Sequence, residues 1–163
     1  MNRKFLIVVV GAALISNKID ATKASELDRK IEKKIELAPK SIKPVGETKL
    51  INAIIEVESN GNDSAYGDTH IVGGEAVGAL QIRPIMVREV NRILKLKRSE
   101  IRYKLQDRWD REKSIEMFLI WKEFHHEDDD FETIARNWNG GPNGYKKSRT
   151  EKYWSKVEEA LNN

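Results

Sequence analysis

The feature that most restricts the fold is the stretch LINAIIEVES at residues 50–59, an almost continuous apolar run that ends in a carboxylate and a hydroxyl group. On a helix with about 100° between successive residues, its apolar side chains cover an arc of roughly 200°. Glu58 falls inside this arc, whereas Glu56 and Asn52 project to the opposite, polar side. The pattern predicts a buried helix whose two glutamates lie in different environments.

Burial disfavours the charged form of a carboxyl group, so we expect the pKa of Glu58 to be raised and the group to stay protonated closer to neutral pH. A general acid requires this property. The alternative is structural: the Glu58 side chain caps a turn or pairs with a lysine at the edge of the core. The stretch by itself leaves both interpretations open.

Composition limits the domain count and the class of partner. With 163 residues, of which 39% are hydrophobic and 34% charged, the chain suits one domain and is too short for two ordinary ones. The formal charge of +3 lies in residues 1–24, and the remainder is neutral. We therefore predict no nucleic-acid binding. The absence of cysteine excludes disulfides, thiolate metal sites and a cysteine nucleophile.

Residues 1–24 have the pattern of a signal peptide, because Arg3 and Lys4 precede an apolar run of 11 residues at positions 5–15. A membrane-spanning helix needs about 20 residues, so we expect an exported protein, periplasmic or extracellular, with no stable membrane span. An uncleaved anchor is the alternative. Residues 25–46, rich in Lys and Glu, are predicted to form a charged linker or an amino-terminal helix.

The domain itself is predicted over residues 47–163 and is mainly helical. Apolar periodicity and end signals predict helices at 47–59, 84–94 and 111–124, after an N-cap at Asp130, and from about Thr150. Residues 60–74 contain four glycines and are predicted to form a long loop or, around residues 69–77, a small hairpin. The inward face of the last helix is predicted to comprise Glu151, Tyr153, Trp154, Val157 and Leu161.

Four short segments stand in order along the domain: Glu58-Ser59, GALQI at 78–82, ARNWNGG at 135–141 and YWSKV at 153–157. Together they resemble the soluble lytic transglycosylase domain of the lysozyme-like superfamily. The pattern of that family is a helix ending in ES, a GLMQI-type segment, an AYNxG-type segment and a final helix with an aromatic residue before KV. The resemblance covers roughly residues 47–161 and implies an α+β lysozyme-like fold, mainly α, with a cleft that binds peptidoglycan glycan strands.

The resemblance also implies roles for individual residues. Glu58 matches the catalytic acid/base, and Ser59 matches the hydroxyl group beside it that contacts substrate. Gly78 and Gln81 match the glycine and glutamine that line the cleft, and Asn139 matches the asparagine of the third segment. Two of these have plain alternatives, since Gln81 could be an ordinary polar residue at a helix start and Asn139 a helix C-cap.

Trp138 is the main departure from the family pattern. It stands where the family usually has tyrosine, so we expect a phenolic hydrogen bond near the catalytic carboxyl group to be lost and only an aromatic wall for the substrate to be kept. A position in the core is the equal alternative for Trp138. The other aromatic residues recur at helical spacing and are predicted to lie in the core: Phe118, Trp121, Tyr153 and Trp154.

The reaction implied by the resemblance is cleavage of the bond between N-acetylmuramic acid and N-acetylglucosamine, with closure of a 1,6-anhydro ring. One carboxyl group suffices, and no cofactor is implied. The competing enzyme is a muramidase, in which Asp63, Asp68 or Glu75 supplies a second carboxylate. A non-catalytic binding or structural module of a secretion system or phage tail is the alternative of another class.

The polar run HHEDDD at residues 125–130 is a candidate metal site. Adjacent residues on a helix point apart, and a polar cluster at a helix end is usually solvated. We therefore predict no metal site, and we expect a monomer.

Overall fold

The apolar run at residues 50–59 forms the buried part of helix α1 (Val45–Ser59). The computed structural model describes residues 45–68, 70 and 74–163. The predicted signal peptide at 1–24 and nearly all of the predicted linker lie outside the described residues. Helix α1 begins slightly before residue 47, the predicted start of the domain.

Four more α-helices follow in the described part of the chain: α2 (Pro84–Leu96), α3 (Arg111–His125), α4 (Phe131–Gly140) and α5 (Glu151–Asn162). Short 3-10 helices span Leu105–Trp109, Gly144–Lys146 and Ser148–Thr150. The mainly α prediction is confirmed. In this part of the chain, no helix is long and apolar enough to cross a membrane.

The only sheet among the described residues is a two-stranded antiparallel hairpin, made by β1 (Tyr66–Gly67) and β2 (Ala76–Val77). Tyr66 lies opposite Val77, and Gly67 lies opposite Ala76. A hairpin was the alternative to a loop here, and its first strand lies before the predicted residues 69–77. The hairpin matters for the site because the segment 78–82 follows it directly.

Local signals account for the helix ends. Pro84 occupies the first turn of α2, where its missing N–H group is not needed. The Asp130 carboxylate accepts a hydrogen bond of 2.7 Å from the Thr133 N–H group, which confirms the predicted N-cap of α4. Gly141, with φ of 72°, ends the same helix.

The core lies between α1 and the four later helices, with α5 packed against both α1 and α4, and α2 against α3. The segment 78–82 adds buried apolar side chains to it. The largest fully buried side chains are Phe118, Leu50, Ile51, Ile54, Leu80, Ile82, Ile93, Met117 and Ile134, together with Val77, Val90 and Val157. The predicted inward position of Glu151 is wrong, because its side chain is 66% exposed at the first turn of α5 and lies 3.8 Å from Arg136.

Candidate functional site

Glu58 lies in the last turn of α1, where the residue is partly buried and its carboxyl group is largely removed from solvent. The Tyr153 hydroxyl group donates a hydrogen bond of 2.8 Å to Glu58 Oε1. Tyr153 is contributed by α5, which packs against α1. Glu56, on the other side of the same helix, is exposed. The two glutamates therefore lie in different environments, as the sequence predicted.

The environment of Glu58 favours its protonated form. Burial raises its pKa from 4.5 to about 7. The hydrogen bond from Tyr153 stabilises the carboxylate and so lowers the pKa, while the negative charge of Asp68 raises it and the positive charge of Arg83 lowers it. Because burial has the largest effect, the Glu58 carboxyl group can give and take a proton near neutral pH.

The phenolic hydrogen bond that was expected to be lost with Trp138 is supplied to this carboxyl group from another position. Tyr153 supplies it, and burial together with the negative charge of Glu58 raises the pKa of the phenol well above its usual value, so the hydroxyl group remains a donor. Tyr153 was predicted only as a core aromatic, since its spacing is helical. The position of the aromatic residue before KV was the signal that could have identified it.

Trp138 belongs to an aromatic cluster at the edge of the core. Its ring packs edge-on against Phe118, at 5.0 Å between ring centroids, and against Trp121, at 5.2 Å. The indole group is partly buried there. The contacts in the structure are thus those of the core alternative, and a contact of Trp138 with substrate stays a prediction.

Ser59 and Gln81 both hydrogen-bond to the backbone around the segment 78–82. The Ser59 hydroxyl group lies 3.0 Å from the Ile55 carbonyl oxygen and 2.8 Å from that of Ala79, which ties the end of α1 to this segment. The Gln81 amide donates to the carbonyl oxygens of Ala65 at 3.2 Å and Gly78 at 3.0 Å. These side chains hold the segment beside Glu58, and their predicted contacts with substrate remain predictions.

Gly78 is required by the backbone at this place. Its φ is 77°, and a Cβ atom added there would lie 2.0 Å from the Arg108 carbonyl oxygen. No other residue type permits this approach without a backbone shift. The 3-10 helix Leu105–Trp109 therefore crosses the segment 78–82 in direct contact.

Asn139 is exposed in the last turn of α4. Asn137, two positions earlier, was not among the residues predicted from the sequence. It is buried, and its side-chain oxygen accepts a hydrogen bond of 3.1 Å from the Tyr145 N–H group. Asn137 thus fixes the turn that follows α4. The signal that could have identified Asn137 is its position, since it places an amide group on the buried face of a helix.

The three loop acids considered as a second carboxylate have different partners. Asp63 pairs with Arg111 at 2.8 Å, and Asp68 accepts a hydrogen bond of 2.9 Å from Arg83 Nε. Glu75 Oε2 is buried with no hydrogen-bond partner among the described residues. Of the three, Asp68 is the one whose charge acts on the pKa of Glu58.

The histidines of the HHEDDD run have separate carboxylate partners. His125 Nε2 lies 2.7 Å from Glu89, and His126 Nδ1 lies 2.7 Å from Asp129. Within residues 45–68, 70 and 74–163, no group of three or more histidines and acids is placed to hold a metal ion.

A cavity of about 430 Å³ lies between α1 and the end of α5. It is lined by the polar side of α1, which carries Glu56 and Asn52, and Glu58 is not among its lining residues. The cavity is therefore separate from the Glu58 carboxyl group.

Comparison of the chain with family models, characterised proteins and solved structures gave no match.

Proposed function

We propose that the chain is a peptidoglycan lytic transglycosylase in which Glu58 is both general acid and general base. The observation that carries the proposal is the Glu58 carboxyl group, which is largely removed from solvent and whose pKa of about 7 lets it exchange a proton near neutral pH. The hydrogen bond from Tyr153 fixes Oε1, so Oε2 is the oxygen that remains to act on substrate.

The proposed reaction needs one carboxyl group. Protonated Glu58 gives its proton to the oxygen between N-acetylmuramic acid and N-acetylglucosamine, and the bond from that oxygen to the muramic acid C1 breaks. The resulting carboxylate then takes the proton of the muramic acid C6 hydroxyl group while O6 bonds to C1. The ring closes as a 1,6-anhydro sugar, Glu58 is again protonated, and no water or cofactor is consumed.

Hydrolysis by a muramidase is the second candidate, and Asp68 is the observation in its favour. Asp68 influences the pKa of Glu58, and its ion pair with Arg83 holds it in place at the end of β1. A carboxylate on the opposite side of the sugar could activate water or act as nucleophile. The two reactions differ in their need for this second acid.

Digestion of purified peptidoglycan, followed by mass spectrometry of the soluble fragments, tests the proposal. We expect muropeptides lighter by one water than reducing-end products, and we expect Glu58→Gln to lower their release at least about a hundredfold while the helical circular dichroism is unchanged. Asp68→Asn is the matched acid-to-amide control and should retain most of the activity.

Each other outcome has a definite meaning. Reducing-end muropeptides, lost in Asp68→Asn, would replace the transglycosylase by the muramidase. Full activity in Glu58→Gln would remove Glu58 as the acid. No release by the wild-type chain would favour a non-catalytic glycan-binding or structural module, such as a part of a secretion system or phage tail.

A further inference from the structure

Two aromatic rings outside the core are stacked on the protein surface. Tyr66 is 56% exposed and Trp109 is 41% exposed. Their ring planes differ by only 5°, and their centroids lie 6.1 Å apart. The other three tryptophans are buried or partly buried, so Trp109 is the exception. Neighbouring exposed aromatic groups often mark a binding surface, because they leave apolar area in contact with water.

The backbone that carries Trp109 is held firmly on both sides. The buried Arg108 guanidinium donates to the carbonyl oxygens of Leu105 at 2.9 Å, Glu75 at 2.9 Å and Ile82 at 3.1 Å. The Ser114 hydroxyl group donates to the Arg108 carbonyl oxygen at 2.9 Å. Asp110, next to Trp109, caps α3. The backbone that carries the indole group is thus ordered before a ligand binds, so binding costs little conformational entropy there.

The same contacts join the aromatic pair to the segment beside Glu58. Tyr66 lies in β1, opposite the residue that precedes Gly78. Gly78 in turn meets the Arg108 carbonyl oxygen and the Trp109 backbone. Because Ser59 binds the carbonyl oxygen of Ala79, the stack and the end of α1 are attached to one continuous piece of backbone.

We propose that Tyr66 and Trp109 form a stacking platform for a sugar ring of the glycan strand, a subsite apart from the reacting bond. The C–H groups on the face of a pyranose ring carry partial positive charge and pack well against the negative face of an aromatic ring. The residues outside positions 1–24 carry no net charge, which suits a ligand recognised by stacking. This inference rests on the proposed function, since it takes the glycan strand as ligand.

Binding of the N-acetylglucosamine hexamer tests the platform. In the inactive Glu58→Gln chain, calorimetry should give a Kd about tenfold higher after Trp109→Ala or Tyr66→Ala. Trp109→Phe keeps an aromatic face and should restore most of the affinity. Phe124→Ala is the control, because Phe124 is 40% exposed but packs beside Arg92 and His125 on another part of the surface.

A direct measurement covers the case in which an alanine variant fails to fold. In the Glu58→Gln chain, the ring-proton NMR signals of Trp109 and Tyr66 should shift on addition of the hexamer, and those of Phe124 should not. Unchanged ring signals, or the same Kd in the platform variants as in Phe124→Ala, would overturn the platform. The proposed function is judged separately, by the release of anhydro products from the wild-type chain.

Discussion

At the residue scale, two opposing effects set the pKa of the Glu58 carboxyl group. Burial favours the neutral form, and the Tyr153 hydroxyl group favours the charged form. A single residue that must act first as acid and then as base needs both forms to be accessible at one pH. The tyrosine keeps the pKa of the buried carboxyl group from rising further.

Tyr153→Phe should therefore change the pH dependence of the proposed reaction. Without the phenolic donor, the pKa of Glu58 rises above about 7, so the protonated acid persists to higher pH. The alkaline limb of the profile of kcat/KM against pH should move upward by about one unit. Muropeptide release between pH 5 and about pH 9 measures the limb.

Tyr103→Phe is the control for this substitution. Tyr103 also donates its hydroxyl group to a glutamate, Glu116, at 2.7 Å, but Glu116 is not among the groups that act on the pKa of Glu58. The control should leave the alkaline limb in place. A limb that stays fixed or moves to lower pH in Tyr153→Phe would show that the hydrogen bond does not regulate the acid.

At the element scale, the segment 78–82 is the piece on which the site depends. It follows the hairpin, contributes Leu80 and Ile82 to the core, and receives hydrogen bonds from Ser59 and from Arg108. The close crossing of the 3-10 helix at Gly78 keeps it in position. A shift of the segment 78–82 along the chain direction would therefore displace both the hairpin and the end of α1.

Gly78→Ala tests this crossing. The added methyl group would meet the Arg108 carbonyl oxygen, and the positive φ adds strain, so we expect a loss of about 2–4 kcal/mol in the free energy of unfolding. Gly61→Ala is the matched control, since Gly61 has φ of 75° but no atom within 4 Å of the added carbon. The control should lose only about 1 kcal/mol, measured by urea unfolding. An equal loss of unfolding free energy in Gly78→Ala and Gly61→Ala would mean that the close contact at Gly78 contributes nothing to stability.

Helices could be predicted because their signals are local. The apolar arc of α1, Pro84 at the start of α2 and the Asp130 cap of α4 each lie within one or two turns of the element that they define. The partner of Glu58 lies 95 positions away, and the helical spacing of Tyr153 predicts only a place in the core, not a hydrogen bond to Glu58. Arg108 was missed for a related reason: a charged residue in a connecting segment is expected in solvent, and its burial depends on three carbonyl groups brought together by the fold.

At the scale of the whole molecule, the raised pKa of Glu58 links the site to stability. The carboxyl group titrates near 4.5 in the unfolded chain and at about 7 in the folded one. Below pH 4.5 Glu58 is protonated in both the folded and the unfolded chain, so its titration does not change the free energy of unfolding. Between pH 4.5 and about 7 the unfolded state releases its proton while the folded state keeps it, so the free energy of unfolding falls by about 3 kcal/mol over this range.

Glu58→Gln should remove this loss. Urea unfolding at pH 4 gives the reference difference in the free energy of unfolding between the variant and the wild-type chain. At pH 8 this difference should have moved by about 3 kcal/mol in favour of the variant. Glu56→Gln is the control, because Glu56 is exposed on the same helix. A pH-independent difference between Glu58→Gln and the wild type would contradict the buried acid.

The pairing of α1 with α5 also sets when the site comes into being. During synthesis the ribosome releases α1 long before α5, since Glu58 precedes Tyr153 by 95 positions. Until the last helix has docked, Tyr153 cannot donate to Glu58 and the carboxyl group stays hydrated, with the acidity of any exposed glutamate. Under the proposed function, cleavage of the glycan strand would begin only after α5 has docked, and it would stop if α5 detached.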